Sequence, residues 1–128
     1  MDKITKLIEE SDEITRKEVL ERVVEKKKEL EKKDDRYYRE THPVTGTVAT
    51  QQKGYPWKIL VLDEIYLGDE EGYQYRFAYW VVSDDNLKKG SIVIKFGESA
   101  LLIPGEDLQT LMEKAEEINW EGSGPFPQ

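Results

Sequence analysis

The chain has 128 residues and a formal net charge of -8, with 38% hydrophobic and 36% charged residues. A chain of this length buries one hydrophobic core and is too short for two independent ones, so we expect a single domain over residues 1–128. Cysteine is absent, which excludes disulfides and thiolate metal sites, and no apolar run reaches the roughly 18 residues that a membrane-spanning helix needs.

The N-terminal segment, residues 1–34, is predicted to be helical. Apolar residues recur at helical spacing in residues 2–10, which indicates a short amphipathic helix. A second helix is expected over residues 16–33, because Thr15 and Glu18 have the spacing of a capping box at its start. Glutamates and lysines four residues apart stabilise its exposed face. The narrow stripe on its other face comprises Val19, Leu20, Val23, Val24, Lys27 and Leu30.

Residues 45–103 are predicted to form an antiparallel sheet of four or five strands. This region contains segments rich in β-branched and aromatic residues, namely WKILVLDEIYL, YQYRFAYWVVS, SIVIKF and ALLI. The turn sequences GDEEG and DDNLKKG separate the first three, and TVATQQ adds an edge strand ahead of them. Short turns between successive strands predict a meander.

A C-terminal helix is predicted over residues 105–119, where apolar residues after Pro104 follow helical spacing and can pack on the sheet. Residues 121–128 are rich in glycine and proline, and we expect them to form a flexible tail. The predicted fold is therefore α+β, with N-terminal helices, an antiparallel β-meander and a C-terminal helix packed on the sheet.

The strand predicted around residues 73–83 bears on function, because both of its alternating sets are apolar. If both helical regions cover one face of the sheet, the other face exposes aromatic rings, and a large exposed apolar patch marks a binding surface. If helices and loops together cover both faces, the rings belong to the core. One set comprises Tyr75, Phe77, Tyr79 and Val81, and the other Ala78, Trp80 and Val82.

The sequence offers no strong motif for catalysis, metal binding or nucleotide phosphates. His42 is the sole histidine, and the paired acidic residues fall mainly in predicted turns. Asp63 and Lys95 partly match a nuclease pattern, but Val93 stands where its second metal-binding carboxylate would be. We therefore expect a protein that is not an enzyme and binds no cofactor or metal; an enzyme acting through Asp63, Glu64 and His42 is a further alternative.

A basic and aromatic patch is the strongest functional signal in the chain. Residues 26–39 contain seven basic and four acidic side chains, a local excess of cations within an acidic protein. Lysine and arginine bind phosphate, and aromatic rings stack on unpaired bases. The competing interpretation is a charge-paired helix surface beside core tyrosines, because acidic residues are interleaved with the lysines. The candidate nucleic-acid-binding residues are Lys26, Lys27, Lys32, Lys33, Arg36, Tyr37, Tyr38, Arg39, Lys53, Tyr55, Trp57 and Lys58.

Residues 11–31 read SDEITRKEVLERVVEKKKELE, with a capped acidic start, Val/Ile spacing and a KKxEL-like end. In these features the segment resembles the helical region near the start of archaeal replication protein A. The resemblance implies binding of single-stranded DNA. That family continues into further helices and an OB-fold, whereas this chain is predicted to pass into a β-meander.

Two functions are compatible with the sequence. The first is a non-enzymatic module that binds single-stranded nucleic acid through the patch and an aromatic sheet face. The alternative is an acidic protein-interaction module, such as an adaptor, an accessory subunit or an inhibitor that mimics nucleic acid. It is favoured by residues 41–128, which contain 14 acidic and 7 basic side chains and would attract a basic partner. A homodimer is compatible with either function.

The expected location is cytoplasmic. The first residues, MDKITKLIEE, lack the apolar segment of a signal peptide, and the absence of cysteine suits an intracellular setting. Abundant lysine and glutamate with no cysteine and little methionine also resemble the composition of thermophilic proteins.

Overall fold

The computed structural model describes residues 3–10, 15–33, 42–83, 92–97 and 101–126. It confirms the predicted α+β fold, because helices flank a four-stranded antiparallel sheet with the order β1-β2-β3-β4. Within these residues, no helix is both long enough and apolar enough to cross a membrane. The elements are α1 (Lys3–Glu10), α2 (Arg16–Lys33), β1 (Val44–Gln52), β2 (Tyr55–Tyr66), β3 (Tyr73–Ser83), β4 (Val93–Phe96) and α3 (Gly105–Glu117).

The start of α2 follows the predicted cap. The Glu18 backbone N–H donates a hydrogen bond to Thr15 Oγ1 at 3.1 Å, and the Val19 N–H donates to the Thr15 carbonyl at 2.9 Å. The first bond satisfies one of the backbone donors that a helix leaves unpaired at its first turn, and the second is the first hydrogen bond of the helix itself. The side chain of Val19 is fully buried, so the apolar stripe of α2 enters the core close to the cap.

Helices α1 and α2 cover one face of the sheet, which we call the α1/α2 face. Trp80 lies fully buried at its centre, and its ring meets Phe96 edge-on with the centroids 5.4 Å apart. Alternate residues of the central strands and the inner stripes of both helices complete this core. Its buried members include Ile8, Val19, Val23, Ile59, Val61, Ala78, Val82 and Ile94.

Helix α3 packs on the opposite face, the α3 face. Leu111 and Ala115 of α3 are buried against Leu60 and Leu62 of β2. The contacts of α3 are concentrated on β1 and, to a lesser extent, β2. One helix therefore covers the β1–β2 half of this face, whereas two helices share the other face.

The segments around α3 differ in detail from the sequence prediction. Residues 101–103, where a strand is predicted, are irregular and pack on the α3-face core through Leu101 and Ile103. Where a flexible tail is predicted, Phe126 packs on the same core and the Gly122 N–H donates to Glu64 Oε1 at 2.9 Å. The chain therefore continues to contact β2 and the α3-face core after the last residue of α3.

A buried ion cluster joins α2 to the sheet on the α1/α2 face. Lys27 Nζ lies 2.6 Å from Glu31 Oε1 and 2.8 Å from Asp63 Oδ1. Arg76 Nη2 lies 2.8 Å from Asp63 Oδ2 and 3.1 Å from Glu31 Oε2. Thr47 Oγ1 donates a further hydrogen bond to Asp63 Oδ1 at 2.7 Å. Each carboxylate therefore contacts both cations, and Lys27 and Asp63 have no exposed side-chain surface.

The protonation of Glu31 reflects this enclosure. Burial raises the pKa of Glu31 above its ordinary value, while the charge of Lys27 acts in the opposite direction. A raised carboxyl pKa means that the folded chain holds this proton more tightly than the unfolded chain. The contribution of Glu31 to stability is therefore greatest below its unfolded pKa and declines as pH rises through the raised value.

Replacing Lys27 by methionine should destabilise the fold by about 3–5 kcal/mol, because two buried carboxylates would then share one cation. Lys26 is the matched control on the same helix, since its 3.6 Å ion pair with Glu29 is exposed. Lys26→Met should change stability by less than about 0.5 kcal/mol. Urea unfolding followed by circular dichroism measures both variants, and equal midpoints would contradict a structural role for the cluster.

Candidate binding surface on the open half of the sheet

The described residues of the predicted nucleic-acid patch do not form one surface. The C-terminal part of α2 lies beside the start of β1, where Lys28 and Lys32 line a groove with Val44. The N-terminal end of α2 lies beside the far end of β1, because Gln51 Nε2 donates to the Arg16 carbonyl at 2.7 Å. The nine residues of β1 span about 30 Å, and this length separates Lys28 and Lys32 from the hairpin that follows β1.

The lysines of this patch differ in their solvent exposure and in their ion pairs. Lys27 is fully buried in the ion cluster, and Lys26 pairs with Glu29 on the surface. Lys53 pairs with Glu106 at 2.9 Å, and this hydrogen bond raises the pKa of Lys53 above its ordinary value. Lys32 is exposed. Lys33 ends α2, and Arg36, Tyr37, Tyr38 and Arg39 lie outside the described residues.

The aromatic members of the patch lie near the β1–β2 hairpin. Tyr55 is 46% exposed and meets Trp57 edge-on, with centroids 5.7 Å apart. Trp57 packs against the α1/α2-face core and is only half exposed to solvent. Of these two rings, Tyr55 alone presents a large solvent-accessible surface.

Lys58 belongs to a different surface, on the α3 face. It is paired across the sheet with Val81 of β3, and Val81 is paired in turn with Lys95 of β4. Paired residues on antiparallel strands project from the same face, so the two lysines flank Val81 in one row. The Lys58 ammonium also lies 4.7 Å from the centroid of the Tyr79 ring.

An open surface covers the β3–β4 half of the α3 face, where α3 makes few contacts. Phe77 is 46% exposed and Val93 is 44% exposed, although both lie in the sheet. Tyr79 and Val81 are half-buried between them, and Lys95 is exposed. We call this the β3–β4 surface; it comprises Lys58, Phe77, Tyr79, Val81, Val93 and Lys95.

The position of the Tyr79 ring depends on a glycine. The Gly97 N–H donates to the Tyr79 carbonyl at 2.8 Å, and the Tyr79 ring lies directly against Gly97. A Cβ atom at position 97 would overlap this ring. Because Gly97 has no side chain, the Tyr79 ring can pack directly against the end of β4 while it contacts the Lys58 ammonium.

Tyr75 lies on the same strand face but belongs to the core. Its hydroxyl donates to Glu64 Oε2 at 2.8 Å, and its ring meets Trp120 edge-on at 5.9 Å. Burial, followed by the hydrogen bond to Glu64, raises the pKa of Tyr75 to about 12. The phenol therefore stays neutral and contributes to the closed half of the α3 face.

The acidic pair in β2 is divided between two structural clusters. Successive residues of a strand project to opposite faces, so Asp63 joins the ion cluster while Glu64 lies beside Tyr75 on the α3 face. Glu64 also accepts a hydrogen bond from Thr45 Oγ1 at 2.8 Å. Across the described ranges, no three histidine or carboxylate side chains group closely enough to hold a metal ion.

Comparison with known proteins found no matching family model, no matching curated protein and no matching solved structure. The resemblance of residues 11–31 to archaeal replication protein A therefore stays a prediction.

Gly97→Ala should displace the Tyr79 ring and lower stability by about 1–3 kcal/mol, because the new methyl group overlaps a ring held against the sheet. Aromatic NMR resonances of Tyr79 and urea unfolding measure the two effects. Gly105→Ala is the matched control, since a Cβ there meets no atom within 4 Å and the site starts a helix. Unchanged Tyr79 resonances in Gly97→Ala would contradict this placement of the ring.

Proposed function

We propose that the chain is a non-enzymatic module that binds single-stranded nucleic acid on the β3–β4 surface. The observation that carries the proposal is that Phe77 is exposed and Tyr79 half-buried on the part of the α3 face where α3 makes few contacts, next to the row that contains Lys58 and Lys95. Rings that stack bases beside cations that contact phosphates are the combination used by proteins that bind single strands without sequence preference.

Phe77 and Tyr79 suit successive bases because they are two residues apart on one strand. Side chains at this spacing project from the same face, about 7 Å apart. Each stacked base contributes about 1–3 kcal/mol and the contact is insensitive to sequence. A base that stacks on Tyr79 displaces the Lys58 ammonium from the ring. The cation–π contact that is lost contributes about 0.5–1 kcal/mol. The displaced lysine can then contact a phosphate.

Local charge favours this surface although the chain is acidic. The six residues that define it include two lysines and no carboxylate. Charges further away than about 8 Å are largely screened at physiological ionic strength, so the net charge of -8 acts mainly at low salt. Two phosphate contacts to a single strand give a slope of log K against log salt near about -1.4. Binding should accordingly be modest and should weaken about sevenfold between 50 and 200 mM salt.

Fluorescence anisotropy with labelled oligothymidine tests the proposal. Phe77→Ala should weaken binding at least about fivefold, because one stacking contact of 1 kcal/mol or more is lost. The double variant Lys58→Glu/Lys95→Glu should abolish measurable binding. Its matched control is Lys26→Glu/Lys53→Glu, which changes the net charge equally on the α2 and hairpin surfaces.

Two results would overturn the proposal. If the unmodified chain does not bind oligothymidine at 50 mM salt, the surface has no affinity for single strands. If Lys26→Glu/Lys53→Glu loses binding while Lys58→Glu/Lys95→Glu keeps it, the strand lies on the helix and hairpin residues that the sequence predicts. Circular dichroism of each variant excludes loss of fold as the cause.

A further inference from the structure

A second surface lies at the opposite edge of the sheet. A groove of about 440 Å³ runs along the outer side of β1, between α2 and α3. Its walls are apolar: Leu20 and Val24 of α2 form one side, and Ile118 at the end of α3 forms the other. Val48 and Ala49 of β1 line the groove between these walls.

The outer side of β1 carries backbone groups that can extend the sheet. β1 is an edge strand, so within the described sheet its only strand neighbour is β2. The Ala49 carbonyl points outward, because it accepts a 2.6 Å hydrogen bond from Lys114 Nζ of α3. Backbone direction alternates along a strand, so the N–H and C=O groups of Thr47 also point outward. Thr47 and Ala49 thus offer the donor and acceptor spacing of a further β-ladder.

Lys114 occupies this edge in the free chain. Its stem crosses the groove and its ammonium lies on the Ala49 carbonyl. A lysine on an edge strand is a common protection against unwanted strand pairing. Burial lowers the pKa of Lys114 below its ordinary value, while Glu117 acts in the opposite direction. The ammonium is therefore poorly solvated here, and moving this flexible side chain into water restores its hydration.

Charge identifies the kind of partner that fits. Glu21, Glu25 and Glu117 are exposed on the rim of the groove. Among the described residues that line it, Lys114 is the only cation. When Lys114 swings out, the three carboxylates remain around an apolar trough. This arrangement repels polyanions and favours a segment with apolar side chains flanked by lysine or arginine.

We propose that this groove binds an extended, basic segment of a partner protein, which displaces Lys114 and adds to β1 as a fifth strand. Main-chain hydrogen bonds to Thr47 and Ala49 supply affinity, as in other cases of strand addition. Apolar side chains of the segment pack on Leu20, Val24 and Ile118, and its cations pair with the glutamates of the rim. The site is separate from the β3–β4 surface and does not depend on nucleic-acid binding.

The test uses the full chain and a fluorescein-labelled synthetic peptide with the sequence Arg-Lys-Val-Thr-Val-Lys-Arg. Saturable binding is expected, and Lys114→Ala should tighten it about two- to tenfold, because the peptide no longer competes with an internal hydrogen bond. Lys26→Ala is the matched control and should leave peptide binding unchanged, since it removes one positive charge from an exposed helical position outside the groove. Glu21→Gln/Glu25→Gln should weaken binding about two- to fivefold, whereas Glu113→Gln, on the exposed surface of α3, should not.

Two further readouts separate strand addition from other contacts. Replacing the central threonine of the peptide by proline removes a ladder donor and should abolish binding. Amide hydrogen exchange at Thr47 and Ala49 should slow when the unmodified peptide binds. Equal affinity for the proline peptide would overturn strand addition. Equal affinity for a peptide with glutamate in place of its lysines and arginines would overturn the preference for a basic segment.

Self-association is measured in parallel by analytical ultracentrifugation. If Lys114→Ala forms dimers but neither it nor the unmodified chain binds the peptide, the lysine only guards the edge and the groove pairs with a second copy. That result overturns the proposal, and so does absence of peptide binding in a monomeric Lys114→Ala chain with an intact circular dichroism spectrum.

Discussion

The buried cluster of Lys27, Glu31, Asp63 and Arg76 fixes how α2 meets the sheet. Removing four charges from water is tolerated because each carboxylate contacts both cations. A shift of α2 by one residue would turn Lys27 by about 100° and leave Asp63 and Arg76 without their helical partners. The apolar stripe would turn by the same angle, so Val19 and Val23 would also leave their buried positions. The ion cluster and the apolar stripe together therefore set the rotation and the axial position of α2 on the sheet.

The coverage of the sheet follows from the number of helices on each side. Three strand spacings of about 4.8 Å separate the outer strands, whereas one helix with its side chains is about 10–12 Å across. Two helices cover the α1/α2 face, but α3 alone covers only the half that contains β1 and β2. Trp120 and Tyr75 extend this covered half at one end of the sheet. The open β3–β4 half thus results from the division of the three described helices, two on one face and one on the other.

The local features of the fold could be predicted from the sequence, and the long-range ones could not. The Thr15 cap, the limits of α2 and the antiparallel character of the sheet depend on neighbouring residues, and the structure agrees with them. The burial of Lys27 depends on Asp63 and Arg76, which are distant in the sequence, although its place within an apolar stripe was a signal. The distance between Lys53 and the lysines at the C-terminal end of α2, Lys28 and Lys32, likewise depends on how β1 lies along α2, which the sequence does not show.

The two candidate surfaces differ in charge and lie at opposite edges of the same sheet. Lys58 and Lys95 mark the β3–β4 surface, whereas Glu21, Glu25 and Glu117 surround the groove along β1. At low ionic strength the glutamates repel a polyanion over the width of the sheet and direct it towards the lysines. At physiological ionic strength the screening length is about 8 Å, shorter than the distance between the outer strands, so the two surfaces act almost independently. The two proposed ligands, a single strand and a basic protein segment, would therefore not compete for the same charges.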